Sequence, residues 1–344
     1  MRRSIAVGFG LLALLPAMAS PRPASQDSKL FHGRISVRLV SFRLRVLDRH
    51  ARPVSGLQPA DLEVAIDDRP ARVVAVESQA GGSSRLPQRP HPGARSTEGH
   101  ARRLIVFFFQ SSFQDARLSG QLRTLPRAKH MLASFAPEDW IAITSFDSHL
   151  KLRQDFTHDH HLVEGAMDRA LLTAPPKARG PASSPSLRRH LDSRAARQAA
   201  SPARALELIG DALTPLAGEK TLILVGWGLG RFGSDGVEMT PSYAPAREAL
   251  VRAGVVVFVL DVTSAAYHSL EFGLRRVAAD TGGTYRKTNE FPDIAAADIA
   301  DAIENDYRVT VLAPPLPPGD YELTVQVRRD LGRPSPSSRR LALR

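Results

Sequence analysis

The chain has 344 residues, 43% of them hydrophobic and 24% charged, with a formal net charge of +11 and no cysteine. That length admits one large or two medium domains, and the apolar share is enough for a packed core. The absence of thiols excludes disulfides, thiol catalysis, cysteine-built zinc sites and a lipid anchor on an N-terminal cysteine, so stability must come from packing.

Residues 1–19 read as an export signal. Arg2 and Arg3 form its basic end, Ile5 to Leu15 its apolar stretch, and Ala17-Met18-Ala19 a small-residue cleavage site ahead of Ser20. The apolar stretch is short for a membrane span, and no other run of about 18 apolar residues follows. The mature chain is therefore expected to carry no transmembrane segment and to be secreted or periplasmic.

In residues 35–78, Ile35, Val37 and Leu39, then Phe42, Leu44 and Val46, alternate with polar neighbours as half-buried strands do. Residues 79–102 are rich in Gly, Pro, Ser and Arg with no apolar period and read as a linker. Over 103–305, strands expected at 104–109, 140–146, 150–155, 220–226, 254–261 and 283–287 alternate with helices. The helices are expected near 118–135, 160–172, 203–216, 243–253, 268–280 and 293–305. This alternation predicts an α/β fold with a doubly wound, mostly parallel six-stranded sheet. Asp147-Ser148-His149 is short enough for a hairpin, which makes 150–155 the antiparallel strand.

The positive charge is local. Residues 173–204 hold Lys177, Arg179, Arg188, Arg189, Arg194, Arg197 and Arg204 against Asp192 alone. Pro175, Pro176, Pro181 and Pro185 discourage an early helix there. Residues 173–201 are expected to form a mobile basic flap offering Arg188, Arg189 and Arg194, with room for a short helix at 187–199. The bland alternative is a solvated insertion without a role.

The apolar run Leu104 to Phe109 ends in Gln110-Ser111-Ser112-Phe113-Gln114, and an open α/β sheet places its ligands at such a polar loop. Around this loop the chain resembles the von Willebrand factor A (VWA) domain. Asp48, Pro53-Val54, Gly56-Leu57, Asp61-Leu62 and Asp67 fall in order on the N-terminal pattern of the VWFA-related secreted proteins of bacteria. Ala51 and Asp68 stand where that pattern has glycines. Asp306 to Val311, Pro314-Pro315 and Gly319 to Val327 resemble the C-terminal strands of the same family, although Arg339-Arg340-Leu341 lacks its final aromatic. The resemblance spans 35–343. It implies a VWA-like domain over 103–305 and a small β module in which 306–343 packs with 35–78.

The family holds a divalent metal with oxygen ligands from three loops. Its Asp-x-Ser-x-Ser motif falls here on Gln110, Ser112 and Gln114, and its Ser/Thr-Asp-Gly motif on Gly226-Trp227-Gly228. Glutamine offers a carbonyl oxygen without charge, and tryptophan an N–H donor with no acceptor. A hard cation wants carboxylates to offset its charge, so this degenerate adhesion site is expected to hold no metal and no cofactor. Ser234-Asp235-Gly236 resembles the lost motif eight residues late, and a loop folding Asp235 back is the alternative. The second loop, which should supply a threonine, falls in the insertion, where Thr173, Ser183, Ser184 and Ser193 are all conceivable.

Two other groups carry chemistry-bearing residues. His158, His160 and His161 with Asp159 and Glu164 have transition-metal residue types, but Asp159 also reads as a helix cap beside exposed histidines. Asp147 and Asp261 end strands on the presumed ligand face at an unknown separation. No nucleophile elbow, zinc-protease helix or phosphate-binding loop is present in the sequence. The expectation is a binding or scaffold protein, not an enzyme, contacting a protein or an envelope macromolecule. Nucleic acid is not expected. The alternatives are a metal-dependent adhesion module with a rearranged site and an electrostatic binder of anionic envelope polymers.

Overall fold

The structure is a computed structural model. It describes residues 38–49, 53–78, 103–171, 185–234, 236–317, 319–328, 331–336 and 340–343. The expected export signal, the linker at 79–102 and the first part of the basic insertion lie outside the described residues.

Three strands come first: β1 (Leu39–Leu47), β2 (Leu62–Ile66) and β3 (Arg69–Ser78). An alternating stretch follows with β4 (Arg103–Gln110), α1 (Asp115–His130), β5 (Trp140–Phe146), β6 (Leu150–Thr157), α2 (His160–Ala170), α3 (Ser193–Gln198), α4 (Pro202–Leu213) and β7 (Glu219–Gly226). It continues through the hairpin β8 (Arg231–Gly233) and β9 (Gly236–Glu238), then α5 (Tyr243–Ala253), β10 (Val255–Asp261), α6 (Glu271–Asp280), β11 (Tyr285–Lys287) and α7 (Pro292–Glu304). The last strands are β12 (Tyr307–Leu312), β13 (Gly319–Val327), β14 (Arg333–Pro336) and β15 (Arg340–Leu343).

The fold is mixed α/β. One six-stranded sheet runs β11-β10-β7-β4-β5-β6. β4 pairs in parallel with β5 and β7, and β10 with β7 and β11, whereas β6 runs antiparallel to β5. Helices cover both faces, which is why β4 is apolar without a break. Leu104, Val106 and Phe108 enter one core, and Ile105, Phe107 and Phe109 the other. Each such burial contributes roughly 1.5–3 kcal/mol. Local signals set the helix ends: Asp159 caps α2, Ser201 caps α4 ahead of Pro202, and Gly254 closes α5 at φ 69°.

A second sheet of seven strands, β14-β1-β12-β3-β2-β13-β15, is antiparallel throughout. The N-terminal and C-terminal strands interleave in it, so neither set completes a sheet without the other. Its core is formed by Phe42, Leu44, Leu62, Val64, Tyr307, Val309 and neighbours.

A buried charge cluster joins the two sheets. Arg43 Nη2 meets Asp306 Oδ2 at 2.6 Å, and Arg45 Nε donates to Asp306 Oδ1 at 2.9 Å. Arg43 Nη1 reaches across to Lys220 O at 3.2 Å and Thr221 Oγ1 at 3.0 Å on β7. Arg45 also lies over the Phe258 ring at 4.5 Å, so its apolar faces are packed as well as its charge paired. Among the described residues no helix is long and apolar enough to cross a membrane.

Candidate functional site

The connections leaving the carboxyl ends of β4, β7 and β10 share one rim of the six-stranded sheet, the rim where such sheets place ligands. Two close approaches hold its walls. A Cβ on Gly120 would fall 1.6 Å from Val262 O, so only glycine lets α1 lie against the exit of β10. A Cβ on Gly273 would fall 2.0 Å from Leu229 O, which fixes α6 against the loop after β7.

Gln110 and Trp227 meet on this rim. Gln110 is 1% exposed. Its Oε1 accepts from the backbone N–H of Trp227 at 3.1 Å and of Gly228 at 3.3 Å, and its Nε2 donates to Gly228 O at 2.8 Å. The amide therefore turns inward and staples the β4 loop to the β7 loop. With two donors on one neutral oxygen, no lone pair is left to face a cation. Gln110 O in turn accepts from Gln121 Nε2 of α1. Ser111, which the sequence reading passed over, is buried and donates to Ala170 O at 2.8 Å, tying the loop to α2.

The other loop positions stay apart from this staple. Ser112 is half-buried, and its hydroxyl accepts from Gln114 N at 3.4 Å. Gln114 is exposed and begins α1 through its backbone. Trp227 is half-buried, with the Arg117 guanidinium 3.5 Å from its ring centre. Its indole N–H is buried without a partner among the described residues, a donor where a cation would need an acceptor. Asp235 lies outside the described residues; Ser234 follows β8, and Gly236 opens β9 opposite Gly233.

Further along the rim, a polar cluster surrounds Asp261, which ends β10 and is fully buried. His268 Nε2 lies 2.7 Å from Asp261 Oδ2, the Tyr285 hydroxyl donates to the same oxygen at 2.5 Å, and Thr263 N–H donates to Oδ1 at 3.0 Å. Burial pushes the Asp261 carboxyl up, but the hydrogen bonds from His268, Tyr285 and Thr263 outweigh it and hold the group below its ordinary value. Burial, then the hydrogen bond to Asp261, pushes the Tyr285 phenol up. Glu271 opens α6 beside them, with Lys287 Nζ at 2.5 Å and Arg275 Nε at 3.1 Å. Burial raises the Glu271 carboxyl, and the bonds from Lys287 and Arg275 bring it below its usual range. The sequence reading found Asp261 and missed His268, Glu271, Tyr285 and Lys287. The available signal was a strand-end Asp followed by His and Glu three apart at the start of a helix.

Asp147 is held separately. Lys151 Nζ lies at 2.5 Å, and the Ser148 hydroxyl donates at 3.0 Å. Burial raises its carboxyl, but these bonds lower it to about 2. β4 and β7 stand between Asp147 and Asp261, so at ~4.8 Å per strand the two lie about 14 Å apart and form no carboxylate pair.

The histidine run after β6 is a helix start. Asp159 Oδ1 accepts from His161 N and Leu162 N, and the His158 ring lies 3.7 Å from that of Trp140. Among the described residues, the one group with metal-ligand geometry is Asp261, His268 and Glu271.

The expected mobile flap is corrected over 185–201. Asp155 Oδ2 accepts from the Ser186 hydroxyl at 2.6 Å, and Asp155 Oδ1 from Leu187 N at 2.7 Å. Leu187, Ala196 and Ala199 are buried in the core, and Asp192 caps α3. A few apolar anchors and two carboxylates outweigh the polar composition. Arg188 is half-buried, and Arg189 and Arg194 are exposed. Residues 172–184, with Thr173, Ser183 and Ser184, lie outside the described residues.

Exposed aromatics also occupy the rim connections. Phe113 follows β4, Phe232 sits in the β8–β9 hairpin after β7, and Tyr267 and Phe272 follow β10; they are 47–72% exposed.

No family model matches the chain, and no curated protein matches it. Among solved structures it is similar to the PilB minor pilin from Streptococcus sanguinis, at 12% identity and TM-score 0.38 over 60% of this chain and 62% of that one. It is similar to an aerotolerance-related membrane protein from Bacteroides fragilis, at 13% identity and TM-score 0.39 over 59% of this chain and 98% of that one. It is also similar to a von Willebrand factor type A structure from Catenulispora acidiphila, at 11% identity and TM-score 0.41 over 70% of this chain and 66% of that one. The chain thus spans less than two thirds of the pilin's length.

Proposed function

We propose that this chain is an exported binding or scaffold protein of the VWA type, which holds a protein or envelope macromolecule on the β4–β7–β10 rim without an ion at Gln110. The observation that carries the reading is the Gln110 amide, buried and bonded to Trp227 N, Gly228 N and Gly228 O where the related motif would present a carboxylate. Phe113, Phe232, Tyr267 and Phe272 supply the contact surface. Exposed aromatics of this kind each offer about 150–250 Å² of rigid apolar area, and they dominate interface energetics. The separation of Asp147 from Asp261, each engaged by its own neighbours, favours binding over acid–base catalysis. The export-signal pattern at 1–19 supports a secreted or periplasmic setting.

The test is capture from periplasmic and extracellular extracts by the mature protein. Capture should be insensitive to added Mg2+ and lost in the Phe113→Ser, Phe232→Ser, Tyr267→Ser triple variant. Capture that requires Mg2+ would favour the rearranged adhesion site instead. Capture that disappears in high salt and in the Arg188→Ser, Arg189→Ser, Arg194→Ser variant, yet survives the aromatic variant, would favour an electrostatic binder.

A further inference from the structure

We propose that Asp261, His268 and Glu271 form a binding site for a first-row transition-metal ion of the Zn2+ class, on the same rim as Gln110 but two strands away. The three residues each direct a ligand atom to one place, and those atoms lie within 4.8 Å of one another. Tetrahedral zinc, with bonds of roughly 2.0–2.2 Å, spaces its ligand atoms about 3.3 Å apart, so small side-chain rotations suffice. One imidazole nitrogen with two carboxylate oxygens suits zinc and its neighbours better than Mg2+ or Ca2+, which prefer all-oxygen shells.

Two further features favour a built site. Asp261 and Glu271 are buried, whereas the His268 side chain keeps 16% exposure, which opens a path from solvent. Each ligand is oriented from behind. Tyr285 and Thr263 hold Asp261, Lys287 and Arg275 hold Glu271, and the Glu271 backbone N–H bonds to His268 O at 3.2 Å. Outer partners of this kind fix ligand geometry in metal sites. Without the ion, His268 and Asp261 satisfy each other through one hydrogen bond. An ion at Nε2 would take the place of that hydrogen bond, with the imidazole in its Nδ1–H tautomer. Three protein ligands leave a fourth position for water or for a side chain of a bound partner.

The experiment titrates the full mature chain with Zn2+ by calorimetry and records the zinc-edge X-ray absorption of the loaded wild-type protein. The expected result is one equivalent bound with micromolar or tighter affinity, in a shell of one imidazole nitrogen and oxygens. Affinity should fall at least tenfold in His268→Ala and in Glu271→Gln and stay within twofold in the His160→Ala, His161→Ala variant. Millimolar or undetectable affinity would overturn the proposal. So would a shell without imidazole in the wild type, or binding that follows His160 and His161. The absorption measurement needs no variant, so it decides even if a substitution fails to fold.

Discussion

The amide oxygen of Gln110 accepts a hydrogen bond from the backbone nitrogen of Trp227 at 3.1 Å, and this contact closes a joint between the loops that follow β4 and β7. The same amide bonds to both polar groups of the Gly228 backbone. Removing it leaves two N–H groups and a carbonyl without their partner. Each buried orphan costs about 1–3 kcal/mol, so Gln110→Ala should destabilise the protein by roughly 3 kcal/mol or more in urea unfolding. A change below about 0.5 kcal/mol would mean the staple is not formed.

The joint should also be convertible. Gln110→Asp with Trp227→Asp places two carboxylates at the rim beside Ser112 and should create weak Mg2+ affinity. Either substitution alone should not, because one carboxylate offsets a dication poorly. Calorimetry of the three variants checks this. Equal affinity in a single variant would show that the second position plays no part.

Asp306 should be a weak point of the whole fold. It is buried between Arg43 and Arg45, and Arg43 continues to Thr221 on the other sheet. Asp306→Ala leaves two buried guanidiniums without their carboxylate and should cost about 3–5 kcal/mol. Deleting 319–344 removes β13, β14 and β15 and bares the edges of β1 and β2, so the truncated chain should aggregate. A truncated protein that stays monomeric with unchanged melting would contradict the interleaved sheet.

Much of the architecture was readable in the residues, for definite physical reasons. β4 reads as one unbroken apolar run because both of its faces are buried, and the hairpin at 147–149 follows from its length. That neither Gln110 nor Trp227 carries a carboxylate was equally plain. The inward turn of the Gln110 amide was not, because it depends on where the β7 loop passes. The Asp261 cluster escaped for the same reason: Tyr285 reaches Asp261 through the pairing of β10 with β11, twenty-four residues away in the chain. In the insertion, prolines and arginines hid the few anchors, Leu187, Ala196 and Ala199, that pack it.

That packing gives a protease prediction. Trypsin should spare Arg188 and Arg189 in the wild type, because Asp155 fastens the chain at Ser186 and Leu187. Asp155→Ala should release the segment and make those bonds early cleavage sites. Early wild-type cleavage at Arg188 or Arg189 would restore the flap reading.

Acid stability should carry the signature of Asp147. Its folded value of about 2 lies below its ordinary 3.8, so its contribution is present above pH 4 and is lost as the pH falls through about 2. The contribution is at most about 2 kcal/mol and less after screening by solvent. Urea midpoints between pH 4 and pH 2 should therefore fall less steeply in Asp147→Asn than in the wild type. Parallel slopes would show that Lys151 does not hold the carboxylate.

Calorimetric titration of the wild-type protein with Mg2+ is the most direct test of an ion-free Gln110 loop. With Gln110 turned inward onto Trp227 and Gly228, no saturable binding is predicted, in the wild type or in Ser112→Ala. Micromolar Mg2+ binding that Ser112→Ala abolishes would contradict the account.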